Sequence, residues 1–236
     1  MKRFYKGAAV GAAPASASGA GFQVELDGRP IRSPAKAPLV FRSQALAQGV
    51  AAEWEAQGDK IDAAAMPLMQ LASTAVDLVP AKRGEIVDAV SAYAETDLLC
   101  YRAEHPETLV ERQARVWQPL LDWAALHYDA PLRVCAGLMP QPQAPEALRA
   151  LRNVVEGYDD WTLAALQTVT GACGSLIVAL ALLEGRIDAA EAFEASQIDE
   201  SFEIERWGED SETTKRRELL RLDIDACRRF VDLLRA

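Results

Sequence analysis

The chain has 236 residues, 50% of them hydrophobic, 25% charged and only 7% aromatic. That is enough apolar material for one large or two small cored units, and it excludes a disordered chain, a collagen and a disulfide scaffold. A formal charge of −10 and a pI of about 4.8 argue against a broad basic nucleic-acid-binding face.

In chain order, residues 3–6 read as a short strand, followed by an Ala/Gly/Ser-rich loop over 7–21. Pro14 and the lack of a Leu/Ile/Val run make a flexible loop the better reading than a signal peptide. Residues 22–26 alternate apolar and polar. Asp27-Gly28 has the chemistry of a two-residue type I′ turn, and 29–33 would return as the paired strand, confined to an edge by Pro30. Residues 38–41 are a third strand candidate. Ser43 can cap a helix reaching about Gln57.

Beyond residue 60 the pattern is helical. Helices are expected over 66–79 and 84–97, separated by Pro80. Pro106 opens a helix to about Tyr128, kinked at Pro119. A Pro-rich connection covers 131–145, followed by helices over 146–156 and 160–184, the second closed by Gly185. Asp188 caps a helix running to Trp207, Gly208 breaks it, and Ser211 starts the last helix. The charge-free run 161–183 is long enough to span a bilayer. Thr162, Gln167, Thr168, Thr170 and Ser175 mark it instead as a single buried core helix. The expected class is α+β, with a small α+β domain over 1–80 and a helical bundle over 81–236.

Charge divides along the same line. Residues 1–48 carry seven Lys/Arg against two Asp/Glu, and the rest carries 18 against 33. A basic head on an acidic body implies two units with different surfaces. Cys100, Cys135, Cys173 and Cys227 are far apart with no C-x-x-C pair, so unpaired thiols in a reducing compartment are expected, and no zinc site.

The usual catalytic patterns G-x-S-x-G, G-x-x-x-x-G-K-[ST] and G-x-G-x-x-G are absent. The cluster Gly171-Ala172-Cys173-Gly174-Ser175 reads as small residues admitting a second helix, with Cys173 an inert thiol. His105 and His127 lack the E-x-x-H pattern and read as surface or loop-packing residues. Trp117, Trp123 and Trp161 fall in helical patterns and belong to the core.

The densest charged feature spans 199–212, with seven carboxylates and one Arg. On one continuous helix at ~100° per residue, Phe193, Gln197, Glu200, Ile204 and Trp207 share a stripe. Asp199, Glu203 and Arg206 share another, and Ile198 and Phe202 lie opposite Phe193. Glu200, on an apolar stripe, requires a partner if buried. Three readings stand: a solvated acidic face ion-paired to an Arg of a neighbouring helix, a protein-binding face, or a Mg²⁺ or catalytic carboxylate site. The carboxylates spread around the helix, which disfavours convergence on a metal.

Four stretches together resemble one family. They are K-R-F-Y-K at 2–6 with L-D-G-R-P-I-R-S-P at 26–34; M-P-L-M-Q-L-A-S-T-A-V-D at 66–77; T-D-L-L-C-Y-R-A at 96–103 with W-Q-P-L-L-D-W at 117–123; and D-E-x-x-E-x-E-x-W-G-E-D at 199–210. This is similar to the assembly chaperone of the F-type ATP synthase catalytic head that attends the alpha subunit. The resemblance implies an α+β N-terminal domain and an orthogonal helical bundle. It also implies a non-enzymatic role without cofactor or metal: binding free alpha subunit and shielding the surface that later packs against beta. By position it implies partner-binding residues Asp199, Glu200, Phe202, Glu203, Glu205, Trp207, Glu209 and Asp210. The family often has Gln at the position of Glu203 and Trp at that of Phe202. The K-R-F-Y-K stretch stands at residue 2 and leaves no room for a mitochondrial presequence, which implies a bacterial cytoplasmic protein, expected to be monomeric when free, without nucleic-acid binding or membrane insertion. The alternative is a Mg-dependent enzyme using 199–212.

Overall fold

The hairpin forms where the turn chemistry places it. In the computed structural model, which describes residues 1–13, 21–136 and 141–236, β2 (Phe22–Leu26) and β3 (Arg29–Pro30) join through Asp27 and Gly28. Both turn residues have positive φ, 49° and 78°, as a type I′ turn demands. A third strand, β1 (Ala8–Ala12), pairs antiparallel with β2 from Ala8↔Leu26 to Ala12↔Phe22, giving the order β1-β2-β3. This corrects the expected loop over 7–21. Its small side chains carry no alternation signal, and the ladder to β2 sets the conformation; residues 14–20 lie outside the described ones.

Two other strand expectations are corrected. Residues 3–6 form no strand. Arg3 ties them instead, its guanidinium donating to the carbonyls of Tyr5, Lys6, Glu55 and Gln57. Residues 38–41 form only the isolated bridges Arg32↔Pro38 and Phe22↔Phe41. Helix α1 (Gln44–Glu55) starts as expected at Ser43, whose Oγ accepts from the Leu46 amide at 3.2 Å. Near its other end, buried Glu53 accepts from the Leu68 and Met69 amides at 2.8 and 2.9 Å, meeting the open N-terminus of α2 (Pro67–Ser73). The expected pair of helices is present, with the break two residues beyond Pro80. A wide turn over Thr74–Leu78 runs on without a free end into α3 (Val79–Ala92), a span that is itself two helices joined across a kink. The non-helical residue is Lys82 (φ −130°, ψ 23°).

Further along, β4 (Tyr101–Arg102) pairs in parallel with β5 (Cys135–Ala136), inside the expected Pro-rich connection. Residues 137–140 of that connection are outside the described ones. Helix α4 (Glu107–Tyr128) continues through Pro119, and fully buried Trp117 donates its indole N–H to the Ala195 carbonyl at 2.8 Å. Helix α5 is Pro145–Gly157.

The single core helix expected over 160–184 is two, α6 (Asp160–Cys173) and α7 (Leu176–Leu183). Gly174 takes φ +64°, and Ser175 caps α7 through the Val178 amide at 3.0 Å. Asp97 fixes the break. Its carboxylate accepts from the Ser175 hydroxyl (2.7 Å), the Ile177 amide (3.1 Å) and the Leu99 amide (3.1 Å). The Gly171–Ser175 cluster therefore interrupts a helix, which corrects its reading as a helix-packing stripe. All eight residues of α7 are buried.

Asp188 and Glu191 form a capping box for α8 (Ala189–Ser196). A second interruption at Gln197 (φ −122°, ψ 20°) separates α9 (Ile198–Trp207), so the expected continuous helix to Trp207 is again two. Gly208 ends α9, and α10 (Ser211–Arg235) follows.

By contacts the chain forms two units: Met1–Arg83 with Asp159–Ala165 and Ala226–Ala236, and Gly84–Tyr158 with Leu166–Asp225. Where the sequence suggested one boundary at 80/81, the chain returns to the first unit twice. There the Trp161 ring meets Phe41 at 5.6 Å and stacks on Phe230 at 6.1 Å, and the Ser43 hydroxyl donates to the Leu233 carbonyl. The four cysteines are free and buried, and burial pushes the Cys100 and Cys173 thiols up to about 12. No helix among the described residues is long and apolar enough to cross a membrane.

Candidate functional site

The acidic helix α9 borders a surface groove of about 730 Å³ in the second unit. Residues 101–106 and the first turns of α4 form its other wall, and Phe202, Glu203, Arg206 and Trp207 face it from α9. The interruption at Gln197 re-phases α9 relative to α8. Ile198 and Phe202 become the buried side, and Trp207 emerges 85% exposed. This corrects the continuous-helix stripe, which joined Trp207 to buried Phe193.

Three of the seven carboxylates are paired with arginines of other helices. Glu205 takes a bidentate pair from Arg112 of α4, at 2.7 and 3.0 Å, and that guanidinium holds its carboxyl below the usual range. Glu200 pairs with Arg216 and Glu209 with Arg217 (3.4 Å), both arginines on α10. Arg217 also donates to Gln197 and Ser201. Asp210 accepts from the Glu212 and Thr213 amides at 2.9 and 2.8 Å, opening α10, and those donors lower its carboxyl. Asp199 accepts from Gln113 at 2.6 Å, while Gln113, itself buried, accepts the Ala103 amide at 2.8 Å. One amide side chain thus ties both walls of the groove together.

The eight sequence-predicted residues therefore fall into two sets. Asp199, Glu200, Glu205, Glu209 and Asp210 are engaged within the chain, each by a different partner. Phe202 packs under two guanidinium groups, Arg206 at 4.2 Å and Arg112 at 5.8 Å from its ring centre. Glu203 and Trp207 have no hydrogen-bond, ion-pair or ring partner among the described residues, and both are exposed. Sequence reasoning does not name Arg112, Gln113, Arg216 or Arg217, although an ion pair to an Arg of a neighbouring helix is one of its three readings and is found at Glu205 and Glu200. Among the described residues no group of three or more His, Cys, Asp or Glu is placed to hold a metal ion. The five engaged carboxylates are held by separate arginines and amides.

The acidic helix end thus places an exposed indole beside an open groove. Comparison with known proteins gives the class as a chaperone: residues 2–125 match the family model described as ATP12 chaperone protein. The chain is 40% identical to Atp12 from Paracoccus denitrificans, whose crystal structure matches with a TM-score of 0.91 over 99% of this chain and 98% of that one. A structure from Agrobacterium tumefaciens matches with the same TM-score at 38% identity, covering 99% of this chain and 86% of that one. The curated protein atp12, mitochondrial, of Schizosaccharomyces pombe is 26% identical over 199 residues, covering 78% of this chain and 68% of that protein. The chain belongs to the ATP12 chaperone family, as its four motif stretches imply, and its mixed α+β fold is the one shared with the two solved structures.

Proposed function

We propose that the chain acts as an assembly chaperone that binds the free alpha subunit of the F-type ATP synthase catalytic head and covers the surface destined for beta. Family membership supports the chaperone role, and the resemblance of the motifs supports the client. The observation that carries the site is the 85%-exposed Trp207 beside unpaired Glu203, on a helix end held by three arginines. A large exposed aromatic on a rigid support supplies contact area at low entropic cost, while a free carboxylate steers and sets register. The five engaged acidic residues belong to the partner-binding surface as its scaffold, and Phe202, Glu203 and Trp207 contact the client directly. In this reading the protein makes and breaks no covalent bond, is monomeric when free, and works in the bacterial cytoplasm.

Purified chain, immobilised and offered purified alpha subunit, should retain it, and Trp207→Ser should release most of it at unchanged melting temperature. Equal retention by Trp207→Ser would remove α9 from the interface. The competing reading, a Mg-dependent enzyme using 199–212, requires saturable heat on titration with Mg²⁺; only weak nonspecific heat is expected, given the dispersed carboxylates.

A further inference from the structure

The first unit carries a separate groove that neither the client reading nor α9 uses. Its origin is the K-R-F-Y-K stretch. Arg3 pins this segment through four carbonyls and an ion pair to Glu55 at 3.5 Å. Tyr5 is buried; its hydroxyl donates to the Trp54 carbonyl at 2.6 Å and its ring packs edge-on against Trp54 at 5.7 Å. Phe4, between two immobilised neighbours, is left 65% exposed, with only the Tyr5 ring against it at 5.4 Å. The fold gains little from a phenyl ring in that place.

Beside Phe4 lies a groove of about 540 Å³, with Ile31, Pro30 and Trp54 as apolar lining and Arg29 and Arg32 at its margin. Neither arginine has a carboxylate partner among the described residues; Arg32 donates to the Lys36 carbonyl at 2.9 Å. The one acidic residue of the lining, Asp27, is already engaged by the Lys6 and Gly7 amides at 3.0 and 3.1 Å. An apolar trough edged by two uncompensated guanidinium groups complements an apolar chain carrying carboxylates. Pro30, without an amide, leaves the β3 edge unsuited to a full ladder, so recognition falls to side chains.

We propose that this groove binds an extended acidic segment of a partner protein, with carboxylates on Arg29 and Arg32 and an apolar side chain against Phe4 and Ile31. The identity of the client proposed above is not required for this. The probe is a fluorescein-labelled decapeptide alternating Asp or Glu with Leu or Phe, titrated with the full chain and read by anisotropy. Its twin carries Lys at each acidic position. The acidic peptide should bind saturably and its twin should not. Arg29→Glu with Arg32→Glu should weaken binding at least about tenfold, and Phe4→Ser about fivefold, with thermal melts unchanged because all three side chains are exposed. Trp207→Ser should bind the peptide like the parent. Absence of binding, equal binding of both peptides, or retention of affinity in the double reversal would each overturn the proposal. So would light scattering that shows a dimer dissociated by the double reversal, since the groove would then be a self-contact. Loss of alpha-subunit retention with intact peptide binding would instead strike only the client reading.

Discussion

Replacing Asp97 by alanine tests how the core of the second unit is held. Three donors lose their acceptor: the Leu99 amide, the Ser175 hydroxyl and the Ile177 amide. At about 1–3 kcal/mol for each unmet buried donor, the gross loss is about 5 kcal/mol. Against this stands the cost of keeping the carboxylate ionised in a fully buried place. Burial pushes Asp97 up to about 6 from 3.8, although Ser175 and the backbone amides pull the other way. That shift corresponds to about 3 kcal/mol. Near pH 7.5 the net loss should therefore be about 2 kcal/mol, or about 4–8 °C in melting temperature for a chain of this length. The native state holds the extra proton between the two values, so Asp97 favours the fold at acid pH, and this contribution fades as pH rises through about 6. Near pH 5 the parent should regain about 1 kcal/mol that the alanine variant does not. Urea unfolding of both proteins near pH 5 and near pH 7.5 reads the difference. Equal midpoints of parent and variant near pH 7.5, or parallel pH dependences, would refute the account.

Glu203→Lys should reduce alpha-subunit retention at least about tenfold without moving the melting temperature, because Glu203 is unpaired and exposed; immobilised-chain binding and calorimetry check both. Glu205→Lys places a second cation against Arg112 and should abolish retention while lowering the melting temperature by less than about 3 °C. The swap with Arg112→Glu should restore that small thermal loss, as a double-mutant cycle would show. A drop beyond about 10 °C would make Glu205 structural. Trp117→Phe removes the bond to Ala195 and leaves a void at a fully buried site, so chemical unfolding should register a loss of about 2–4 kcal/mol.

What could be read from the sequence was what local chemistry decides. Asp27-Gly28, Ser43, Asp188 and Gly208 each set their own turn, cap or break within a few residues, and each stands where expected. The interruptions at Gly174 and Gln197 were not visible, because apolar residues continue across them. Gly174-Ser175 does carry a local signal, a left-handed glycine followed by a capping serine, which the hydrophobic run masked. Its other half, Asp97, is 78 residues from Ser175. The same distance problem hid Arg112 and Gln113, which are 93 and 86 residues from Glu205 and Asp199. Small-residue β1 escaped detection for another reason, since only its neighbour β2 tells alanine to extend. The acidic segment was legible as a feature, but which carboxylates are scaffold and which are free was not.

The return of residues 226–236 to the first unit reverses the order in which a ribosome would normally release finished parts. Domains usually mature from the N-terminal side as they emerge. Here the indole of Trp161, which meets Phe41 on one side, lacks its stacking partner Phe230 until that stretch is made. All segments of the second unit precede that stretch. During translation, the part made first is thus the part completed last.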